Sequence, residues 1–203
     1  TSIESVELDF ASLMKASQAI SSELVLENLW TTTMRIMLEN AGAQRGCFVV
    51  RQGGRLVAEG YTESGASGEP ASRSRPLEGE GALALPLSIV HQVFRTHQPV
   101  VLHDATEDPV FGRDAYVESR CPRSVLCVPL VRSGKFEGVV YVENGLTAGA
   151  FTEERIEILK LLAAQASISI ENARLYEDQT RLVEAQRRFV PSQFLESLDH
   201  RDI

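Results

Sequence analysis

The sequence lacks any apolar stretch long enough to cross a bilayer. Its longest apolar runs, such as Val125 to Val131 and Gly138 to Val142, are strand-length, far short of the roughly 20 residues a membrane helix needs, so no membrane insertion is expected. Basic excess is missing too. The chain carries 20 Lys and Arg against 28 Asp and Glu, a net charge of -8, and its arginines are scattered singly or in pairs. Such a field repels phosphate backbones, which argues against a nucleic-acid partner. Cysteine is scarce: Cys47, Cys121 and Cys127 make an odd count in a chain long enough to fold without staples. That usage fits free thiols in a reducing cytoplasm better than a disulfide scaffold. Gly-rich phosphate loops, metal-ligand clusters and Ser/His/Asp nucleophile arrangements are absent as well. No cofactor or metal is expected, and a pocket here has to work by binding. No positively charged apolar leader opens the chain, which starts at Thr1, so a piece of a longer polypeptide is the expectation.

What is present suffices for one core plus a protruding helix: 203 residues, 43% of them hydrophobic. Leu8, Phe10, Leu13, Met14 and Ile20 recur at mostly helical spacing and predict a first helix over 8–20. A second is predicted over 26–41, where Leu26, Leu29, Trp30, Met34, Met37, Leu38 and Ala41 step by three or four before Gly42 stops it. Two β-prone runs, Arg45 to Arg51 and Arg55 to Tyr61, flank Gly53-Gly54 and predict a hairpin. Residues 64–75, rich in Ser, Gly, Ala and Pro, predict a surface loop or ragged edge. Ser88 is placed to cap a short helix carrying Ile89, Val90, Val93 and Phe94, with a strand over Pro99 to His103. The pattern then dissolves: 104–122 reads as an irregular segment longer than compact domains usually tolerate without a purpose, and is the best candidate for a ligand-covering loop. Ser124 to Val131 and Phe136 to Glu143 predict a second hairpin whose strands are apolar on both faces and so need cover on both sides. The sum is an α+β architecture, an antiparallel sheet flanked by helices.

From Thr152, placed as N-cap before Glu153 and Glu154, nothing breaks the helical pattern until Pro191. Leu161, Ile168, Leu175, Leu182 and Phe189 recur at intervals of seven, the mark of a coiled-coil seam with these residues at d. The matching a positions are Gln165, Asn172, Gln179 and Gln186. Polar a residues fix register and favour two strands at a cost in stability, so a homodimer through this stalk is expected.

Arg123-Ser-Val-Leu-Cys-Val-Pro-Leu-Val131, Gly138-Val-Val-Tyr-Val-Glu-Asn144, Gly149-Ala-Phe-Thr-Glu-Glu154 and Ala166-Ser-Ile-Ser-Ile-Glu-Asn-Ala-Arg-Leu-Tyr176 resemble the closing strands and exit helix of a GAF domain. The resemblance covers nearly all of residues 5–180. It implies helices on one face of the sheet and a small-molecule pocket on the other, roofed by the irregular loop. The tail Glu184-Ala-Gln-Arg-Arg-Phe-Val-Pro-Ser-Gln-Phe-Leu195 resembles the junction that in many bacterial proteins joins such a domain to a class III adenylate or guanylate cyclase, so a cyclase is the expected output; similar domains also precede histidine kinases, the alternative output. The expected division is an N-terminal helix over 1–22, a GAF core over 23–160, a signalling helix over 161–190 and, over 191–203, a junction to a covalently linked output domain.

The resemblance also sorts the chemistry. Cyclic-nucleotide-binding members carry Asn-Lys, then Phe, three residues, then Asp-Glu; here Asn144 precedes Gly145, and Arg155-Ile156 stands where the acids belong, so Asn144 reads as a turn residue. Bilin attachment fails because Cys121 is followed by Pro122, and His91, His97 and His103 are too scattered to suggest a haem ligand. The enzymatic alternative is a free methionine sulfoxide reductase, but residues 52–120 contain no cysteine to match its resolving thiols. Cys121 remains as a candidate redox thiol, whereas Cys127 lies in an apolar strand and reads as core. The reading is therefore a non-catalytic sensory module with an unidentified small-molecule ligand. Its candidate pocket residues are His103, Asp104, Phe111 and Tyr116 from the loop side and Tyr141 from the sheet.

Overall fold

The computed structural model describes residues 14–23, 25–62, 70 and 74–189. Residues 14–22 form helix α1, so the predicted first helix is seen from its middle onward, and its 8–13 portion lies outside the described residues. Helix α2 (Leu26–Ala41) buries Leu29, Trp30, Met34 and Met37 and ends in a left-handed Gly42 (φ 66°), whose N–H bonds the Leu38 carbonyl. Only glycine takes that backbone conformation without steric cost.

Strands β1 (Arg45–Gln52) and β2 (Arg55–Glu59) form the first hairpin, and a two-residue β3 (Arg75–Pro76) pairs with β2. Gly53 and Gly54 both have positive φ, as a turn that follows the right-handed strand twist requires. Helix α3 (Leu87–Thr96) leads to the short strand β4 (Val100–Leu102), and helix α4 (Ala115–Arg120) lies inside the segment expected to be irregular. Its six residues offered too few turns to show a period in the sequence. Strands β5 (Ser124–Arg132) and β6 (Lys135–Asn144) complete an antiparallel sheet in the order β3-β2-β1-β6-β5-β4. Helix α5 (Glu153–Phe189) runs unbroken for 37 residues. The division expected at residue 160 therefore falls inside one continuous helix.

Strand alternation divides the apolar residues between two cores. Phe48, Val50, Leu126, Val128, Leu130, Val140 and Val142 face α1, α2 and α5, where they meet Trp30, Met34, Leu159 and Leu162. Each fully buried Leu or Ile there contributes about 1.5–3 kcal/mol of transfer free energy. Cys47, Val49, Val125, Cys127, Val139 and Tyr141 face the other way, toward α3, α4 and the loop after β3. Cover on both faces is what the doubly apolar second hairpin demanded.

Asp114 organises the second face. One carboxylate oxygen accepts the Tyr116 N–H at 2.9 Å and so caps α4; the other accepts both the N–H (3.1 Å) and the hydroxyl (2.5 Å) of Ser88 in the first turn of α3. Ser88 is thus not the cap of α3: Pro86 occupies that position, and the acceptor arrives from 26 residues away. Asp114→Ala is expected to cost about 1–2 kcal/mol, the range for losing a helix cap, read as a drop in melting temperature of roughly 3–6 °C.

Candidate functional site

At the end of the sheet nearest α4, four polar side chains meet in an otherwise apolar layer. Glu143 of β6 is paired across the sheet with Arg45 of β1 in the backbone register, and their side chains form an ion pair at 3.1 Å. The Tyr116 hydroxyl, from α4, lies 2.9 Å from both carboxylate oxygens of Glu143 and accepts a hydrogen bond from Arg45 Nη1 at 2.6 Å. The Tyr141 hydroxyl donates to Glu143 Oε2 at 2.5 Å. A carboxylate that is 94% buried is therefore held by one cation and two phenols, which is how a buried charge is tolerated. The Arg45 Nε is buried with no hydrogen-bond acceptor among the described residues.

The phenols respond to this setting. Burial, reinforced by the neighbouring Glu143 charge, pushes the Tyr116 and Tyr141 hydroxyls well above the ordinary tyrosine range. Because the folded-state values are raised, this contribution to stability is present below the unfolded value of about 10 and is lost as pH climbs toward the folded ones. In an alkaline titration followed by phenolate absorbance, the Tyr116 and Tyr141 phenols are expected to stay silent until the fold is lost. Burial likewise raises the Cys47 and Cys127 thiols, which sit on either side of Tyr141 in the sheet register and are inert as nucleophiles.

The space enclosed here is small. Arg45, Gly46, Thr62, Leu83, Leu85, Tyr116 and Tyr141 line a void of about 10 Å³, close to what one water requires. Of the expected pocket residues, Tyr116 and Tyr141 converge on this network, and Phe111 packs at the margin of the apolar layer. His103 and Asp104 do not join it. The His103 side chain is exposed, and its carbonyl accepts from Gly149 N–H at 2.7 Å; the Asp104 carboxylate pairs with Arg123 at 2.7 Å and caps its own turn through Thr106. The Thr106 hydroxyl, chiefly, holds the Asp104 carboxyl below its ordinary range. Cys121 is exposed, sits in a left-handed conformation (φ 49°) at the end of α4, and points its thiol to the Glu118 carbonyl at 3.4 Å. Arg45 and Glu143 were missed in the sequence. The available signal was one acid ending an apolar strand, beside a strand that opens on an arginine.

Asn144 closes β6 as the turn residue its sequence context predicts: its Oδ1 accepts from Leu146 and Thr147 N–H, and its Nδ2 reaches the Gly42 carbonyl at 2.8 Å. Arg155, at the start of α5, donates to the Ala150 carbonyl at 2.8 Å. Farther along α5, Glu171 pairs with Arg132 of β5 at 3.4 Å. The exit helix is thereby tied to its own leading loop and to the hairpin end of β5. Beyond it, Leu161, Ile168, Leu175 and Leu182 are 46–64% exposed, and Asn172 and Gln179 are exposed beside them. Phe189 is helical, at the last described position. Among the described residues no cluster of His, Cys, Asp or Glu is arranged to hold a metal, and no helix is long and apolar enough to cross a membrane.

The architecture is an α+β module, a sheet backed on one face by N- and C-terminal helices and roofed on the other by short helices over a small polar site. The chain belongs to the GAF domain family, whose model matches residues 25–170. Over 99 residues it is 38% identical to the Hybrid signal transduction histidine kinase G of Dictyostelium discoideum, a match covering 49% of this chain and 3% of that protein. It is 24% identical over 188 residues to the Peroxide stress-activated histidine kinase mak3 of Schizosaccharomyces pombe, covering 89% of this chain and 8% of that one. The chain thus spans a small fraction of its curated relatives. Among solved structures, the GAF domain from Acinetobacter phosphoenolpyruvate-protein phosphotransferase superposes with a TM-score of 0.63 at 21% identity, over 83% of this chain and 95% of that one.

Proposed function

We propose that this chain is a non-catalytic sensory module that works as a homodimer, receiving a small-molecule or conformational input at α4 and passing it along α5 to a covalently linked, cytoplasmic output domain. The observation that carries this reading is the row Leu161, Ile168, Leu175 and Leu182: one residue per heptad along a 37-residue helix, every one exposed. Large apolar side chains repeated on one stripe of a helix that its own domain leaves uncovered are suited to a second copy. Asn172 and Gln179 in the same seam select two strands and fix their register at some cost in stability.

The input side rests on Tyr116. It is the hydroxyl that ties α4 to the sheet, and the void beneath it is too small for anything beyond a water. A ligand entering here has to lift α4 and take over the hydrogen bonds Tyr116 makes to Arg45 and Glu143. The output we favour is a histidine kinase, because the relatives above are such kinases. A nucleotide cyclase, suggested by the tail through Leu195, is the second reading; residues 190–195 of that tail lie outside the described residues. Sedimentation velocity over a range of concentrations tests the dimer: a two-chain species is expected, and a single-chain mass throughout rejects it.

A further inference from the structure

A roomier hollow than the one under α4 is also present. It lies at the opposite end of the sheet, between the β1–β2 hairpin, the turn after β3 and the outer side of α3, and has a volume of about 620 Å³, within the range of small-molecule sites, about 300–1,000 Å³. Arg45 and Arg51 are six positions apart along β1, so roughly 20 Å lies between this cleft and the Tyr116 network.

Its lining is of two kinds. Leu56, Leu77 and Phe94 supply an apolar wall, and Phe94 is fixed edge-on against Phe136 with ring centroids 5.0 Å apart. Arg51, Arg55 and His91 supply groups that attract an anion, against a single acid, Glu78. The Arg51 guanidinium lies 6.0 Å from the centroid of the Phe94 ring and is bridged to no carboxylate among the described residues. The contrast with Arg45, Arg123 and Arg132 is direct, since each of those has an acid partner. A guanidinium held against a ring at the mouth of an apolar cleft leaves its N–H fork available for a carboxylate, the anion its geometry fits best.

We infer that this cleft is a second binding site, for a small molecule with a flat apolar body and one carboxylate: the body on Leu56, Leu77 and Phe94, the carboxylate on Arg51. The inference stands whether or not the α4 site takes a ligand and whether or not the stalk pairs. The full chain, labelled with nitrogen-15, is titrated with naphthalene-2-carboxylate while amide shifts are followed. The expected result is saturable shifts concentrated at residues 51–56, 77–79 and 91–94. Arg51→Gln, at an exposed position, and the neutral naphthalene-2-carboxamide should each weaken binding about tenfold, as the loss of one charge-assisted hydrogen bond implies. Tyr116→Phe should leave the affinity unchanged, which separates this cleft from the α4 site. Absence of shifts at the cleft, equal affinity for acid and amide, or indifference to Arg51→Gln overturns the inference.

Discussion

Replacing Ile168 and Leu175 together with serine is expected to turn the dimer into a monomer with the domain still folded. Both side chains are about half exposed in the single chain, so the fold gains little from them. Across a two-stranded seam the double substitution removes four apolar knobs. At a conservative 1 kcal/mol or so for each, against the 1.5–3 typical of a fully buried side chain, association weakens by about 4 kcal/mol, or roughly a thousandfold. Sedimentation reads the mass, and an unchanged far-ultraviolet circular dichroism amplitude shows that the module survives. Asn172→Leu should act oppositely, tightening association while relaxing register, because the polar a position selects alignment at a cost in stability. If the double variant remains dimeric, the heptad residues are not the interface.

The second large effect belongs to the buried ion pair. Arg45→Met is expected to destabilise the chain by about 3–5 kcal/mol, the usual cost of leaving a buried charge without its partner, which corresponds to a fall in melting temperature of roughly 10 °C or more. Glu143 would retain its two phenols but lose the cation 3.1 Å away. Adding Glu143→Gln to Arg45→Met removes the orphaned charge, and most of the loss should return. Urea unfolding of the unsubstituted chain and the two variants measures both steps. Failure of the second substitution to rescue would mean that packing of the Arg45 stem, not its charge, secures the site.

Much of this structure was legible in the sequence, for reasons that differ between elements. The hairpins 45–59 and 124–144 could be read because Gly53-Gly54 and Ser133-Gly134 punctuate apolar runs with residues that accept positive φ. Helices α2 and α5 could be read because their periods persist over many turns. Their caps could be read too: Gly42 at one end and, for α5, the Thr152 hydroxyl, which lies 3.4 Å from the Arg155 N–H.

What escaped depended on long-range partners. Helix α4 is short, and its Tyr116 N–H donates to one oxygen of Asp114, whose other oxygen is committed to α3; no local pattern announces such a shared cap. The polar cluster joins residues 45, 116, 141 and 143, which only the register of β1 against β6 and the placement of α4 bring together. His103 and Asp104 looked like loop-borne pocket residues because they flank the end of β4. The chain turns there, and the Asp104 carboxylate is engaged by Arg123 and Thr106 instead of the polar cluster.

The central claim, that α5 pairs with its counterpart in a second copy along one heptad seam, is tested most directly by cross-linking. In a Cys121→Ser background, single cysteines are placed at Leu175, Leu182 and Glu177 and oxidised. At d positions of a parallel two-stranded coil the Cα atoms are close enough for a disulfide, so Leu175→Cys and Leu182→Cys should give a covalent dimer within minutes. Glu177→Cys, two residues round the helix from Leu175 and on the side turned away from the partner, should not. Equal cross-linking at all three positions, or none at Leu175 and Leu182, would contradict the seam and with it the route by which the module passes its signal.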